Sequence, residues 1–267
     1  MQHHVLIFDN HCPLCRAYTG AFIKTGMLDA RGREAYGELN SDTCQLLDMD
    51  RARNEIALVN TKTGQVLYGI DSLFRVLGHA FPVFAPLFRF RPFRWLMKKI
   101  YSFISYNRKV IVPSNAGADH CVPDFSTGYR WAYILFAWLL TSAILTAYST
   151  RLDGLLPASR FFREFMVCGG QILFQSCALY FIKREKLMTY LGNMMTISLA
   201  GGLVLLLAMV VGSLAGLHAP LVYALLFLTT AGIMFLEHWR RMKLLDIHWS
   251  ASLSWVLYRV FILIFII

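Results

Sequence analysis

The first ninety residues alternate between short apolar runs and segments whose apolar positions recur every three or four residues. Residues 4–8 form a β-branched run typical of a buried strand, and residues 13–26 show helical spacing that ends at Gly26, a residue that suits a helix C-cap. The later patterns predict a strand at 33–40, a helix at 41–49 capped by Ser41, a β-hairpin of 55–60 with 65–69, and a helix capped by Asp71 or Ser72. The order β-α-β-α-β-β-α predicts an α/β domain with a small mixed sheet.

From residue 129 onward the polar alternation gives way to long apolar stretches. These lie at 129–149, 164–182, 188–216, 219–236 and 249–267. Most of them reach the roughly 20 residues that a helix needs to cross the hydrocarbon core of a membrane. The pattern predicts an all-α transmembrane bundle of about five spans. Because Arg259 interrupts the last stretch, four spans followed by a re-entrant tail are the alternative.

Composition and charge support a division into two domains. Hydrophobic residues make up 57% of the chain and charged residues only 16%, whereas soluble domains average about 45–50% and about 25%. Residues 1–128 hold 15 of the 26 Lys and Arg and 11 of the 16 Asp and Glu. We therefore expect a water-facing domain at 1–115, a linker at 116–128 and a membrane domain at 129–267.

The boundary is preceded by a basic and aromatic segment, residues 88–112. Its seven cations before residue 110 alternate with Phe, Trp and Tyr, and the segment contains no acid. This mixture suits the surface of an anionic lipid leaflet, and the alternative is a helix whose aromatic face packs on the domain. Because membrane-flanking segments account for much of the net charge of +10, nucleic acid is not an expected partner.

Charged loops predict the orientation of the membrane domain. The loops 183–186 and 240–243 are basic and would share a side with the segment before residue 129. The positive-inside bias places that side in the cytoplasm. The N-terminal apolar run is too short for a secretory signal. We therefore expect a bacterial-type inner-membrane protein whose N-terminal domain stays in a reducing cytosol, where a cysteine pair is more often catalytic or metal-binding than structural.

The candidate chemistry lies between the first strand and the first helix, in the stretch "FDNHCPLC". Cys12 and Cys15 are three residues apart, with Cys12 at the helix N-terminus, where free amide groups and the helix dipole stabilise a thiolate. Pro13 suits the first helical turn. Cys12 is predicted to be the more exposed, attacking sulfur, and Cys15 the sulfur that resolves the mixed disulfide.

Three further side chains are candidates for assisting this pair. His11 and Arg16 can both favour an anionic sulfur, and Asp9 can either relay a proton to or from Cys15 or cap the turn. Zinc is the competing interpretation, but a structural zinc site needs four ligands. The other candidates in this half form no second paired motif, so no metal is expected; they are His3, His4, Cys44, His120 and Cys121.

The stretches "VLIFDNHCPLC", "YGIDSLFRVLG" and "WLMKKIYSFISYNRKV" resemble, in order and spacing, the DCC family of thiol-disulfide oxidoreductases, named for its D-x-x-C-x-x-C motif. The resemblance covers residues 4–112. It implies a thioredoxin-like fold, a redox role for Cys12 and Cys15, and Asp9 as the acid of the motif.

Two departures from the family pattern concern the backbone near the cysteines. Asn10 stands where the family usually has glycine, and asparagine tolerates a left-handed backbone better than most residues. Thioredoxins also carry a proline before the third strand, whereas this chain has "RARNEI" there.

The membrane half contains a polar stripe and one charge within an apolar stretch. Glu164, Cys168, Gln171 and Gln175 share one helical face, which favours helix–helix contacts. Arg259 is expected to pair with Gln171 or Gln175, or to hold the head of a quinone.

These patterns predict a membrane-anchored enzyme that exchanges dithiol and disulfide with a protein or small-molecule thiol, with the Cys12–Cys15 pair as its only required redox group. One alternative is a non-enzymatic membrane anchor or assembly subunit with a partner-binding head. Another is a quinone-linked electron carrier. Cys44 and Cys121 have no expected role in the exchange.

Overall fold

The computed structural model describes residues 1, 3–39, 45–113, 124–157 and 162–266, and the chain divides into two compact units. Unit 1 is Met1–Tyr129 and unit 2 is Arg130–Ile267. Several sequence predictions concern residues that lie outside the described parts: the start of the helix at 41–49 with its cap Ser41, most of the linker at 116–128, and the side chains of Cys44, His120 and Cys121.

A four-stranded mixed sheet with the order β2-β1-β3-β4 lies at the centre of unit 1. β1 (His4–Phe8) pairs in parallel with β2 (Arg33–Ala35) and antiparallel with β3 (Ala57–Asn60), and β3 pairs antiparallel with β4 (Val66–Tyr68). The predicted small mixed sheet is confirmed. The second strand is shorter than predicted, because the chain turns into a 3-10 helix at Tyr36–Glu38.

The two faces of this sheet carry separate apolar clusters, as the alternation of side chains along a strand requires. Leu6 and Leu58 lie opposite each other in register and point to one face, together with Val76 from a helix. Ile7 and Val59 point to the other face. β1 is therefore a buried central strand, and the residues that follow it start from a rigid position.

Unit 1 contains five described α-helices. They are α1 (Pro13–Lys24), α2 (Met49–Asn54), α3 (Ile70–Ala80), α4 (Ala85–Arg89) and α5 (Arg91–Ile111). α1 ends before Gly26, whose φ of 72° is the left-handed conformation that glycine allows, so the predicted end is confirmed. α2 begins where the predicted helix ends, because the Asp48 carboxylate accepts a hydrogen bond from the Arg51 amide at 3.0 Å.

The predicted cap of α3 is wrong. The N-cap residue is Gly69, with a φ of 61°, and no side chain caps the helix. The Asp71 carboxylate instead accepts from Arg94 at 2.6 Å and contacts Lys98 at 3.1 Å. The Ser72 hydroxyl donates to the Leu67 carbonyl at 2.7 Å. Both side chains have partners elsewhere in the fold, which the local sequence does not reveal.

Unit 2 is helical in its described part, with a helix in each of the five predicted apolar stretches. The helices are α6 (Thr127–Ser149), α7 (Arg163–Lys183), α8 (Leu187–Leu214), α9 (Pro220–Leu244) and α10 (Ser250–Ile266). By length and apolar composition, three described segments could cross a membrane: Thr127–Leu152, Arg163–Leu214 and Pro220–Leu244. The middle segment contains both α7 and α8, which a non-helical backbone at Lys183 separates. The number of spans stays a prediction.

Two contacts show how unit 2 packs. α8 and α9 approach closely at Gly212, where a Cβ would collide with the Tyr223 hydroxyl and the ring would have to shift. The Lys183 ammonium donates to the Asp246 carboxylate at 2.8 Å. This ion pair brings the loop after α7 and the loop after α9 to the same end of the bundle, as the charge pattern predicts.

Candidate functional site

The cysteine pair lies in the turn that joins the central strand β1 to α1. The Asp9 carbonyl accepts a hydrogen bond from the Cys12 amide at 3.3 Å, and the Asp9 carboxylate accepts from the His11 amide at 2.9 Å. Cys12 is the N-cap residue of α1, with Pro13 in the first turn. The first helical hydrogen bond runs from the Arg16 amide to the Cys12 carbonyl at 3.0 Å. The turn therefore places Cys12 at the end of α1 where backbone N–H groups are unpaired.

The Cys12 sulfur receives hydrogen bonds from its partner cysteine. The Cys15 amide donates to Cys12 Sγ at 3.4 Å, and the Cys15 thiol donates to the same sulfur. The Cys15 thiol lowers the pKa of Cys12 most, followed by the Cys15 amide and the positive charge of Arg108, and burial opposes them. The result is a pKa of about 6, so the Cys12 thiolate predominates at neutral pH.

Cys15 has the opposite properties. Its hydrogen bond to Cys12 and its burial raise its pKa, so it keeps its proton while Cys12 is a thiolate. The Tyr18 hydroxyl, one turn further along α1, hydrogen-bonds to Cys15. Burial raises the pKa of Tyr18, which therefore remains a protonated donor. The two sulfurs thus differ in charge because of their contacts, as an attacking and a resolving thiol require.

Arg108, near the end of α5, forms an ion pair with the acid of the motif. Its Nη2 atom lies 3.3 Å from Asp9 Oδ2 and donates to the Arg53 carbonyl at 3.2 Å. Only 8% of the Arg108 side chain and 9% of the Asp9 side chain are exposed. The Arg108 charge lowers the pKa of both cysteines. The proton relay predicted for Asp9 has no contact that supports it here, since one carboxylate oxygen holds the turn and the other binds Arg108.

α5 also fixes the segment that precedes β3. Tyr101, Ser105 and Arg108 recur every three or four residues and lie on one face of α5. The Tyr101 hydroxyl accepts from the Ile56 amide at 2.9 Å, and the Ser105 hydroxyl donates to the Asn54 carbonyl at 2.6 Å. This is the segment in which the chain lacks the proline of thioredoxins. Three side chains of α5 hold its backbone in place.

One comparison with known proteins finds a family that matches the part of the chain containing the cysteine pair. Residues 6–112 match the family model described as DCC1-like thiol-disulfide oxidoreductase. This part of the chain is therefore similar to that family, and it is called the DCC1-like domain below. The match covers less than half of the 267 residues and stops before unit 2. No curated protein and no solved structure matches the chain.

Both cysteines of the DCC1-like domain are buried, and neither is in a disulfide. Cys12 is 7% exposed and Cys15 is 5% exposed, so Cys12 is the more exposed of the two, as predicted, by a small margin. The distinction between the two thiols is electrostatic, since it depends on the hydrogen bonds that Cys12 receives.

The auxiliary residues of the DCC1-like domain lie around the pair but differ in what they do. His11, Pro13 and Arg16 are exposed. Among the cations, Arg108 is the one that most lowers the pKa of Cys12, and the assistance expected from His11 and Arg16 stays a prediction. Asn10 does not adopt a positive φ, so this turn does not use the left-handed backbone that asparagine tolerates. The cation that the sequence interpretation missed is Arg108; its only signal was the match of "YNR" to the end of the family domain.

The polar stripe predicted in unit 2 is largely buried between helices. Gln175 accepts hydrogen bonds from the Tyr190 hydroxyl at 2.6 Å and the Ser254 hydroxyl at 3.2 Å. Gln171 is buried one turn earlier, whereas Glu164 forms an ion pair with Arg163 at 2.8 Å. Cys168 and Cys177 on the same helix are free thiols. Of the stripe, Gln175 thus hydrogen-bonds to two neighbouring helices, and a joining role for the other three residues stays a prediction.

The predicted hydrogen bond of Arg259 to Gln171 or Gln175 is not found among the described residues. The guanidinium carbon of Arg259 lies 3.9 Å from the centroid of the Trp255 ring, a cation–π contact. Four buried N–H donors of α7 and α10 have no hydrogen-bond acceptor among the described residues; they are Gln171 Nε2, Gln175 Nε2, Trp255 Nε1 and Arg259 Nε.

Metal binding finds no additional support in the described residues. Within residues 1, 3–39, 45–113, 124–157 and 162–266, no group of three or more His, Cys, Asp and Glu side chains could hold a metal ion. Cys44, His120 and Cys121 lie outside these ranges, so the expectation of no metal stays a prediction.

Proposed function

We propose that this chain is a membrane-anchored thiol-disulfide oxidoreductase that exchanges dithiol and disulfide through Cys12 and Cys15. One observation carries the proposal. The Cys12 sulfur accepts hydrogen bonds from the amide and thiol of Cys15 at the start of α1, and its pKa is about 6. A thiol with this pKa is a nucleophile at neutral pH, whereas an ordinary cysteine with a pKa of about 8.5 is mostly protonated.

The proposed reaction takes place in two balanced steps. The Cys12 thiolate attacks a substrate disulfide, the substrate S–S bond breaks, and one substrate thiolate leaves while a Cys12–substrate disulfide forms. Cys15 then gives its proton to water, and its thiolate attacks Cys12 Sγ. The Cys12–Cys15 disulfide forms and the second substrate thiolate leaves. The substrate gains two electrons and the cysteine pair loses them, so a dithiol reductant has to regenerate the enzyme.

The polar contacts of Cys15 suit the second step. In the resting state its thiol donates to Cys12, which keeps it protonated and unreactive. Once Cys12 is in a mixed disulfide, its sulfur carries no negative charge, and the largest influence that raises the pKa of Cys15 disappears. Arg108 then lowers the pKa of Cys15. The pKa of Cys15 is therefore lower after the substrate has been captured than before, although its burial still raises it.

Membrane anchoring is the second part of the proposal. The apolar helices of unit 2 support it by length and composition. α5 supports it in unit 1, since Trp95, Leu96 and Ile100 are exposed large apolar side chains, and Trp95 is 63% exposed. Arg91 and Lys99 are exposed on the same helix. Such a combination suits the headgroup region of an anionic cytoplasmic leaflet.

The proposed function is tested by equilibrating the purified full chain, in lipid nanodiscs, with dithiol–disulfide buffers of defined potential. We expect Cys12 and Cys15 to change together between the dithiol and the disulfide form in a single two-electron transition, which mass spectrometry of trapped thiols would follow. A pair that never forms a disulfide over the accessible range, and no exchange with any disulfide, would instead favour a non-enzymatic anchor with a partner-binding head.

A second candidate function is quinone-linked electron transfer. The four N–H donors without acceptors in unit 2 favour it, because quinone carbonyls accept hydrogen bonds. In that reaction the dithiol would become a disulfide while a quinone takes up two electrons and two protons. Quinone-dependent oxidation of the cysteine pair that is lost in Arg259→Ala would support this function. Equal oxidation with and without added quinone would exclude it.

A further inference from the structure

A groove runs along the exposed side of α1, from Pro13 toward Lys24. It encloses about 510 Å³ and is open to solvent. Pro13, the neighbour of Cys12, lies at one end, and Arg33 of β2 forms part of a wall. The complete lining is Pro13, Arg16, Ala17, Gly20, Ala21, Lys24 and Arg33.

The charges of this groove all have the same sign. Three of its seven lining residues are cations and none is an acid. Among the described residues, the ion pairs include neither Arg16 nor Lys24, so their charges are not neutralised by a neighbouring carboxylate. The groove therefore presents uncompensated positive charge along α1, the helix that begins next to Cys12.

One of these cations is held in position by the fold. The Arg33 guanidinium lies 5.4 Å from the centroid of the Phe8 ring, and Nη1 donates to the buried Thr19 hydroxyl at 3.4 Å. A Cβ at Gly20 would lie 3.3 Å from Nη1 of Arg33, so the glycine leaves room for the guanidinium. Because the Arg33 side chain is already ordered, it loses less conformational entropy when it binds an anion.

The length of the groove indicates what it binds. Pro13 and Lys24 are eleven residues apart on one helix, which corresponds to about 16 Å along the axis. An extended peptide covers this distance with about five residues. A low-molecular-weight thiol held at Cys12 would reach Arg16, in the next turn of α1, but would end before Lys24.

We propose that the groove binds an extended acidic segment of a protein substrate, next to the cysteine whose disulfide is exchanged. This inference rests on the proposed function and specifies its substrate class. The substrate sulfur would lie at Cys12, and acidic side chains of the adjoining segment would pair with Arg16, Arg33 and Lys24. Electrostatic attraction of this kind acts mainly on the association rate and weakens with added salt.

The test uses two peptides with one cysteine each, blocked as a mixed disulfide with a chromophoric thiol. Four glutamates follow the cysteine in the first peptide and four lysines in the second. The full chain in neutral nanodiscs is expected to react about tenfold faster with the acidic peptide than with the basic peptide at low salt.

Arg16→Gln combined with Lys24→Gln should reduce this ratio of the two rates several-fold. The matched control, Lys62→Gln with Arg75→Gln, removes two exposed cations outside the groove and should preserve the ratio.

Two further results separate the possible explanations. Lys24→Gln alone should lower the ratio, and an unchanged ratio would overturn the extended occupant in favour of a small anionic thiol. An equal fall in both double variants would overturn the groove altogether.

A binding measurement keeps the groove distinguishable from the proposed function. A fluorescent acidic peptide with serine in place of cysteine cannot react, so its affinity does not depend on exchange chemistry. We expect weaker binding to the Arg16→Gln/Lys24→Gln variant than to the control variant, even if the wild type shows no exchange. Equal binding to both variants would contradict the proposal.

Discussion

Cys12→Ser is expected to abolish disulfide reduction by the full chain, and Cys15→Ser is expected to trap one substrate per chain as a mixed disulfide. The first variant loses the nucleophile, because a serine hydroxyl with the same hydrogen bonds remains protonated at neutral pH. The second keeps a nucleophile but has no thiol to release the substrate. Turnover of a chromogenic disulfide and the intact mass of the protein after reaction would measure both effects.

The trapped species should distinguish the two cysteines more sharply than the rate. Cys168→Ser and Cys177→Ser are suitable controls, since both replace free thiols on α7 outside the DCC1-like domain, and they should leave turnover unchanged. A mixed disulfide that accumulates on Cys15 in the Cys12→Ser variant, at the rate seen on Cys12 in Cys15→Ser, would contradict the assigned order of attack.

Arg108→Gln is expected to destabilise the DCC1-like domain and to raise the pKa of Cys12. The variant leaves the Asp9 carboxylate buried without its cation, and removal of one partner of a buried pair costs about 3–5 kcal/mol. It also removes a positive charge that lowers the pKa of both cysteines. Thermal unfolding would measure the first effect, and the rate of Cys12 alkylation at pH 6 the second, with a fall of several-fold expected.

Two companion variants separate charge from folding. Arg108→Lys keeps the charge, so it should preserve the pKa of Cys12 better than Arg108→Gln does. Asp9→Asn combined with Arg108→Gln removes the stranded carboxylate and should recover part of the lost stability. If Arg108→Gln unfolds at the wild-type temperature and its Cys12 reacts at the wild-type rate, Arg108 has no role in the site.

The local part of the site follows from the sequence because its determinants lie close together, between the start of β1 and Gly26. An apolar run followed by D-x-x-C-P-x-C predicts a strand, a turn and a helix that begins at the cysteines, and the structure has these elements at His4–Phe8 and Pro13–Lys24. Proline at the first turn and a glycine after the last turn limit where this helix can begin and end.

The remote part of the site could not be derived in the same way. Arg108 is 99 residues from Asp9 in sequence, and only the packing of α5 against the sheet brings the two together. The same limitation explains the wrong cap of α3, because Arg94 attracts the Asp71 carboxylate from 23 residues away. The burial of Cys12 likewise depends on how the chain folds over the turn, which a helix N-terminus alone does not determine.

The contacts of α5 give a physical account of the missing proline. In this domain Tyr101, Ser105 and Arg108 bind the backbone of the segment before β3, and Arg108 also binds the turn before Cys12. One helix therefore links the two backbone segments that border the cysteine pair. In this chain the end of α5 is therefore part of the candidate site, although it contributes no cysteine.

The most direct test of this account is the titration of Cys12 in the full chain. Cys44, Cys121, Cys168 and Cys177 would be replaced by serine, Cys15 retained, and the rate of iodoacetamide labelling at Cys12 followed by peptide mass spectrometry from pH 4 to pH 10. The account predicts a half-maximal rate near pH 6, with thiolate above that value and thiol below it. A half-maximal rate at about pH 8.5, which is the pKa of an unperturbed cysteine, would contradict it.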